Sequence, residues 1–164
     1  MRDVDVVTGS AVFTNQQEEE YMHPNTGRSI AGGFVGTIVM TAMMYMVAPM
    51  MGLNMDIAAM LGSMLGGSWA AGMAMHFVNG AIIFPLAYVY VVYGWLPGGP
   101  AARGTVFGVG LWLLAQIVVM PMMGAGFFSM AMGGIMAAMG SLVGHLLYGV
   151  LLGAIAGGAA ARAA

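Results

Sequence analysis

The sequence predicts an all-α integral membrane protein of four transmembrane helices, built from a duplicated two-helix unit, with two short interfacial or re-entrant helices on the outer side. Three observations carry that reading. Of 164 residues, 60% are hydrophobic and only 6% charged, against roughly 25% charged in a soluble domain, so lipid must be the solvent. The charges crowd into the first 28 residues, leaving Asp56, Arg103 and Arg162 for everything that follows. Finally, one set of residues recurs after an interval of 72 positions.

A helix needs about 20 apolar residues to cross roughly 30 Å of hydrocarbon, and the uncharged runs place four: Ser29–Met51, Trp69–Trp95, Thr105–Met123 and Ser141–Ala160. Pro49 and Pro121 fall near span ends, where a missing N–H costs least, whereas Pro85 lies inside the second span and should bend it. Trp69 and Trp95 fit aromatic belts at the two interfaces, since the helix between them covers about 39 Å. The connections Gly52–Ser68 and Gly124–Gly140 are apolar and methionine-rich, and are expected to lie in the outer interface or dip back between the spans. In the first of them Asn54 is placed to cap a short helix through Ile57, Met60, Leu61 and Met64, with Asp56 in its first turn.

Arg28, Arg103 and Arg162 fall on one side of this arrangement and no arginine on the other, so both termini are expected to be cytoplasmic in a bacterial inner membrane. The polar start lacks the basic and apolar regions of a secretory signal, which makes the first span the expected targeting element.

The repeat organises the chain. Gly32, Gly36 and Pro49-Met50-Met51-Gly52 recur as Gly104, Gly108 and Pro121-Met122-Met123-Gly124, and after a three-residue gap His76-x-x-x-Gly80 recurs as His145-x-x-x-Gly149. Fixed-period self-similarity marks a repeated structural unit. The expected divisions are a polar acidic tail, 1–28, a first two-span unit, 29–98, and a second, 99–164. Two spans per unit give both copies one orientation, related by a pseudo-twofold axis along the membrane normal. Small residues at i, i+4 spacing, Gly32/Gly36, Gly104/Gly108 and Ser141-His145-Gly149-Gly153-Gly157, are expected to let helix backbones meet closely.

Composition removes several classes of function. Without cysteine there are no disulfides, thiolate ligands or cysteine nucleophiles. No basic patch with interleaved aromatics points to nucleic acid. No paired intramembrane carboxylates or serine–histidine–carboxylate set is legible, so no enzyme is expected. What remains are His76 and His145, intramembrane and equivalent in the repeat, each with a glycine, Gly80 or Gly149, four residues later on the same helix face. Measured from Trp69 and Ser141 they lie about 10 Å and 6 Å below the outer end. Two imidazoles facing each other across an axis would suit the iron of a b-type haem. Twenty methionines supply another metal chemistry, because thioethers with imidazole suit copper(I); Met73 and Met75 stand nearest His76 and join both histidines as candidate metal ligands. Against these stand plain alternatives: histidine hydrogen-bonding a neighbouring helix, and methionine as a flexible filler. Asn79 and Gln116 are expected to hydrogen-bond between helices.

The expectation that follows is a small non-catalytic subunit of a larger inner-membrane complex, of respiratory or electron-transfer type. Other membrane subunits would be its partners besides the bilayer, with the tail Met1–Arg28 as one contact. A haem b protein ligated by His76 and His145, and a copper-handling or small-solute transporter, are the alternatives.

Overall fold

The computed structural model describes residues 23–53 and 56–157. It is all-helical, with no strand among the described residues. Four helices are long and apolar enough to cross a membrane: span 1, Thr26–Met51; span 2, Trp69–Trp95; span 3, Pro100–Met122; and span 4, Gly134–Ala156. The protein is therefore a multi-pass membrane protein. Most of the polar tail, including Glu18–Glu20, lies outside the described residues.

Each start has a local cause. The Asn25 side chain accepts from the Arg28 amide at 2.9 Å and caps span 1, and Ser68 does the same for span 2 through the Ala71 amide at 3.2 Å. Span 3 opens on Pro100, whose missing N–H is free of cost in a first turn. Span 4 begins at Gly134, seven residues before the expected Ser141. The glycines and methionines of 133–140 hid this turn, since their composition resembles the connection they leave.

Between spans 1 and 2 the short helix Ile57–Ser63 forms. Its N-cap is Asp56, whose carboxylate accepts from the Ala59 amide at 2.9 Å. Asp56, expected in the first turn, is thus itself the cap, the place expected of Asn54, which lies outside the described residues. Asp56 also accepts from Tyr45 and from the Trp69 indole. Burial acts to raise its pKa, but the bonds from Tyr45, the Ala59 amide and Trp69 outweigh it and hold the carboxyl below the usual carboxylate range. This stabilisation is present at neutral pH and lost as pH falls through the lowered pKa. The helix folds back on span 2 because a Cβ on Gly72 would meet the Ala58 carbonyl, and one on Gly62 the Ser68 carbonyl. Between spans 3 and 4 the second short helix is a single 3₁₀ turn, Phe127–Ser129.

Three prolines set the interior of the spans. A proline ring crowds the carbonyl four residues back, and a π-turn, with its wider i→i+5 bond, relieves that crowding. Pro49 follows the π-turn Met43–Val47, Pro85 follows Asn79–Ile83 and Pro121 follows Ala115–Val119, each proline six positions after the turn begins. The expected bend at Pro85 is thus absorbed by a local change of helix type.

The 72-residue interval reappears in the backbone. The π-turns at Met43 and Ala115 stand that far apart, and so do the left-handed glycines that end spans 1 and 3, Gly52 (φ 74°) and Gly124 (φ 77°). The bonds Leu53 N–H to Ala48 O and Ala125 N–H to Met120 O, both 2.9 Å, also match at this interval. So do two reaches into the connections: Met44 Sδ accepts from the Ile57 amide at 3.4 Å, and Gln116 Oε1 accepts from the Ser129 hydroxyl at 2.9 Å. Ser129 is buried and bonded six residues below the end of span 3, so the second connection dips about 9 Å between the helices.

Packing runs in the order span 2, span 1, span 4, span 3. Gly104 and Gly108 lie against the backbone of Gly149, Gly153 and His145, so spans 3 and 4 meet main chain to main chain. Gly32 and Gly36 lie against Leu152 and Tyr148 of span 4. Span 1 meets span 2 through the neighbouring face, where Gly33 touches Pro85 and Gly80 touches Thr37. The two glycine stripes therefore both face span 4, and equivalent residues do not make equivalent contacts around a twofold axis. Spans 2 and 3 pack together at one end, where Tyr88 stands 5.3 Å from Phe107 and Arg103 lies 4.4 Å over the Tyr93 ring. Arg28 caps the same end, donating to the Ile155 carbonyl at 2.8 Å. We call this the arginine end, and the other the methionine end.

Candidate functional site

Toward the methionine end the four spans and the helix Ile57–Ser63 enclose a cavity of about 390 Å³. Its wall is overwhelmingly apolar and includes eight methionines, with Thr37, His76, Asn79, Ser141, His145 and Tyr148 as the residues with polar side chains. Both sequence-predicted histidines therefore open onto one cavity. Gly80 also lines it, whereas Gly149 lies in the seam with Gly104. Met73 and Met75 do not line the cavity, and Met75 is exposed on the outer surface of the bundle.

Beneath the cavity, the Tyr148 hydroxyl donates to the Gly80 carbonyl at 2.7 Å, a buried bond that ties span 4 to the π-turn of span 2. A π-turn leaves carbonyls without their usual helical partner, and this one is satisfied by a side chain from across the bundle.

Hydrogen bonding fixes how the imidazoles face. His145 Nδ1 lies 2.8 Å from the Ser141 carbonyl. A carbonyl only accepts, so Nδ1 carries the proton and Nε2 presents a lone pair. His76 Nε2 lies 3.1 Å from the Thr41 hydroxyl, whose own proton goes to the Thr37 carbonyl at 2.7 Å. Thr41 must then accept, so Nε2 of His76 is protonated and Nδ1 is the open nitrogen. Neither open nitrogen, nor the Asn79 side chain, has a partner among the described residues. An imidazole held through one nitrogen with the other left open is how proteins orient histidine toward a ligand.

Depth changes for one of the two. With span 4 starting at Gly134, His145 lies 11 residues, about 16 Å, from the methionine end, not the 6 Å measured from Ser141. His76 stays about 10 Å down from Trp69. Sequence reading missed Thr41 and Met40. Met40 lies inside span 1, away from the methionine-dense connections, and its packing on Gly144 is legible only once spans 1 and 4 are brought together.

These features define a class: a four-span helical membrane protein with a histidine- and methionine-lined cavity opening toward one side of the bundle. Residues 24–164 match the model of a family described as "Family of unknown function (DUF6789)", and the chain belongs to that family. No curated protein matches the chain, and no solved structure does.

Proposed function

We propose that the chain is a small non-catalytic subunit of a larger membrane complex, of respiratory or electron-transfer type, to which it contributes the cavity between His76 and His145. One observation carries this reading. Three seams of the bundle are closed, but among the described residues spans 2 and 3 pack on each other at the arginine end with no comparable packing toward the methionine end. An open seam beside a polar-tipped cavity suits a partner helix, because helices in lipid associate through packing that this chain leaves unfinished. Asp56, the one carboxylate among the described residues, is engaged by Tyr45 and Trp69, so among the described residues neither histidine has the acidic partner that proton-relay or hydrolytic chemistry would use. In the bacterial inner membrane of this proposal, the arginine placement favours the arginine end as cytoplasmic.

The test is the size of the native particle. Solubilised in mild detergent, the protein should co-migrate with larger subunits on a native gel and co-purify with them. A stable, monodisperse monomer recovered directly from its own membranes would overturn the proposal.

A second reading, a b-type haem between the histidines, is favoured by the open Nε2 of His145 with its Nδ1 anchored on a carbonyl. It requires His76 to release Thr41 from Nε2, because Nδ1 is bonded to Cγ, next to the backbone attachment, and would bring the porphyrin against the helix. On native material a reduced-minus-oxidised spectrum should then show a sharp α-band that either histidine substitution abolishes; a flat spectrum would reject haem.

A further inference from the structure

We propose that His76 Nδ1, His145 Nε2 and the thioether of Met40 form a binding site for a soft monovalent cation, copper(I), inside the membrane. This deepens the reading of the cavity as the subunit's contribution, by naming what it holds. Met40 adjoins a residue next to each imidazole, one in the chain and one in space. It precedes Thr41, which holds His76, and it lies along Gly144, the neighbour of His145. A Cβ at Gly144 would stand 3.3 Å from Met40 Cγ and 4.0 Å from its sulfur. Met40 is 11 residues from Met51 and His145 is 11 from Gly134, so both lie about 16 Å from the methionine end. All three residues line the same cavity.

The donor set selects the ion. Two neutral imidazole nitrogens and a thioether are soft to borderline donors, and no carboxylate among the described residues joins them. Magnesium and calcium require several oxygens, and protein zinc sites are normally four-coordinate with thiolate, imidazole or carboxylate ligands. Copper(I) accepts soft donors at low coordination number. A neutral donor set in lipid also prefers one charge to two, because the cost of burying an ion rises about fourfold when its charge doubles. Thr41 and the Ser141 carbonyl, by accepting the far protons, keep both rings oriented and raise their basicity. The path to the site has the same chemistry. Met51, Met136 and Met139 line the cavity and are 62%, 58% and 48% exposed, which sets a series of thioethers between the methionine end and the histidines.

The experiment titrates copper(I) alone, under anaerobic reducing conditions, into the full chain in mild detergent against a chromogenic copper(I) chelator, followed by X-ray absorption. We expect about one copper per chain with nitrogen and sulfur as nearest neighbours. Met40→Leu, a swap that conserves volume, should weaken binding at least as much as loss of an outer-shell partner does, roughly tenfold or more, and remove the sulfur signal. His145→Gln should weaken it at least as much. Met75→Leu, outside the cavity, should change neither. Circular dichroism and gel filtration identify any variant that fails to fold, and Met40→Leu then decides the matter. No retained copper, equal retention by Met40→Leu and wild type, or a coordination shell of sulfur alone would overturn the proposal. Copper loss from a chain that still joins its complex would overturn this site and spare the subunit reading; a monomer that binds copper would do the reverse.

Discussion

Replacing Gly149 with valine is expected to destabilise the bundle by about 3 kcal/mol or more. Any side chain there meets the Gly104 carbonyl and the Gly108 Cα across the seam between spans 3 and 4. Overpacking a filled interior usually costs about 1–3 kcal/mol, and a collision with main chain sits at or above the top of that range because backbone cannot rotate away. Lipid supplies no compensating hydrophobic drive, so the spans must part. Because the His145 carbonyl sits against Gly108 in the same seam, the cavity wall would move with it. Thermal or detergent-induced unfolding followed by circular dichroism measures the effect. Gly110 is the control: it lies on span 3 with nothing near its missing Cβ, so Gly110→Ala should leave stability unchanged or raise it by up to about 1 kcal/mol. Equal stability of the Gly149 variant and the wild type would refute the close-approach account of this seam.

Gln116→Leu should release the connection between spans 3 and 4. Gln116 is fully buried and accepts from Ser129, also buried, while its amide approaches the Ser141 hydroxyl at 3.4 Å. Leucine leaves the Ser129 hydroxyl without its partner, at a cost of about 1–3 kcal/mol. The loop it anchors is strained: Phe128 (φ 51°) and Ser129 (φ 57°) both occupy the left-handed region that side chains avoid. Losing the anchor lets that strain relax by withdrawal of the loop. The chain has no cysteine, so a single cysteine introduced at Met130 reports the change cleanly, and its labelling rate should rise in the Gln116 variant. Adding Ser129→Ala should recover part of the lost stability, because removing both partners costs less than orphaning one. Additive losses in the double variant would show that the pair is not coupled.

Much of the architecture was legible because it depends on hydropathy and on punctuation. Uncharged runs gave the number of spans, and their boundaries held at Met51, Trp69 and Trp95. The start of span 4 did not, since Gly133, Gly134 and Gly140 read as loop although the turn between them is helical. The π-turns were invisible to composition, because the choice between i→i+4 and i→i+5 bonding leaves no mark on hydropathy; the prolines that follow three of them were the available clue, and the fourth, Tyr88–Val92, has no proline at the matching position. Glycine spacing announced close contacts but not their partners, so the stripe at Gly32 and Gly36 was read as equivalent to that at Gly104 and Gly108 when both in fact serve span 4. The histidines were found as a pair, but which nitrogen each leaves open depends on Thr41 and on the Ser141 carbonyl, neighbours that only the folded chain supplies.

The clasp at the arginine end has a topological consequence. The Asn25 amide reaches the Ala156 carbonyl at 3.4 Å, and Arg28 reaches Ile155, so the start of the first helix and the end of the last are adjacent. At this end the four helices are thus a ring of neighbours, and the chain leaves it cut at one point. Joining residue 157 to residue 25 by a short linker and opening the Leu96–Gly99 connection would place the second unit ahead of the first while keeping every helix contact described above. The order in which the two units are strung together is accordingly a feature of the gene rather than a demand of the bundle.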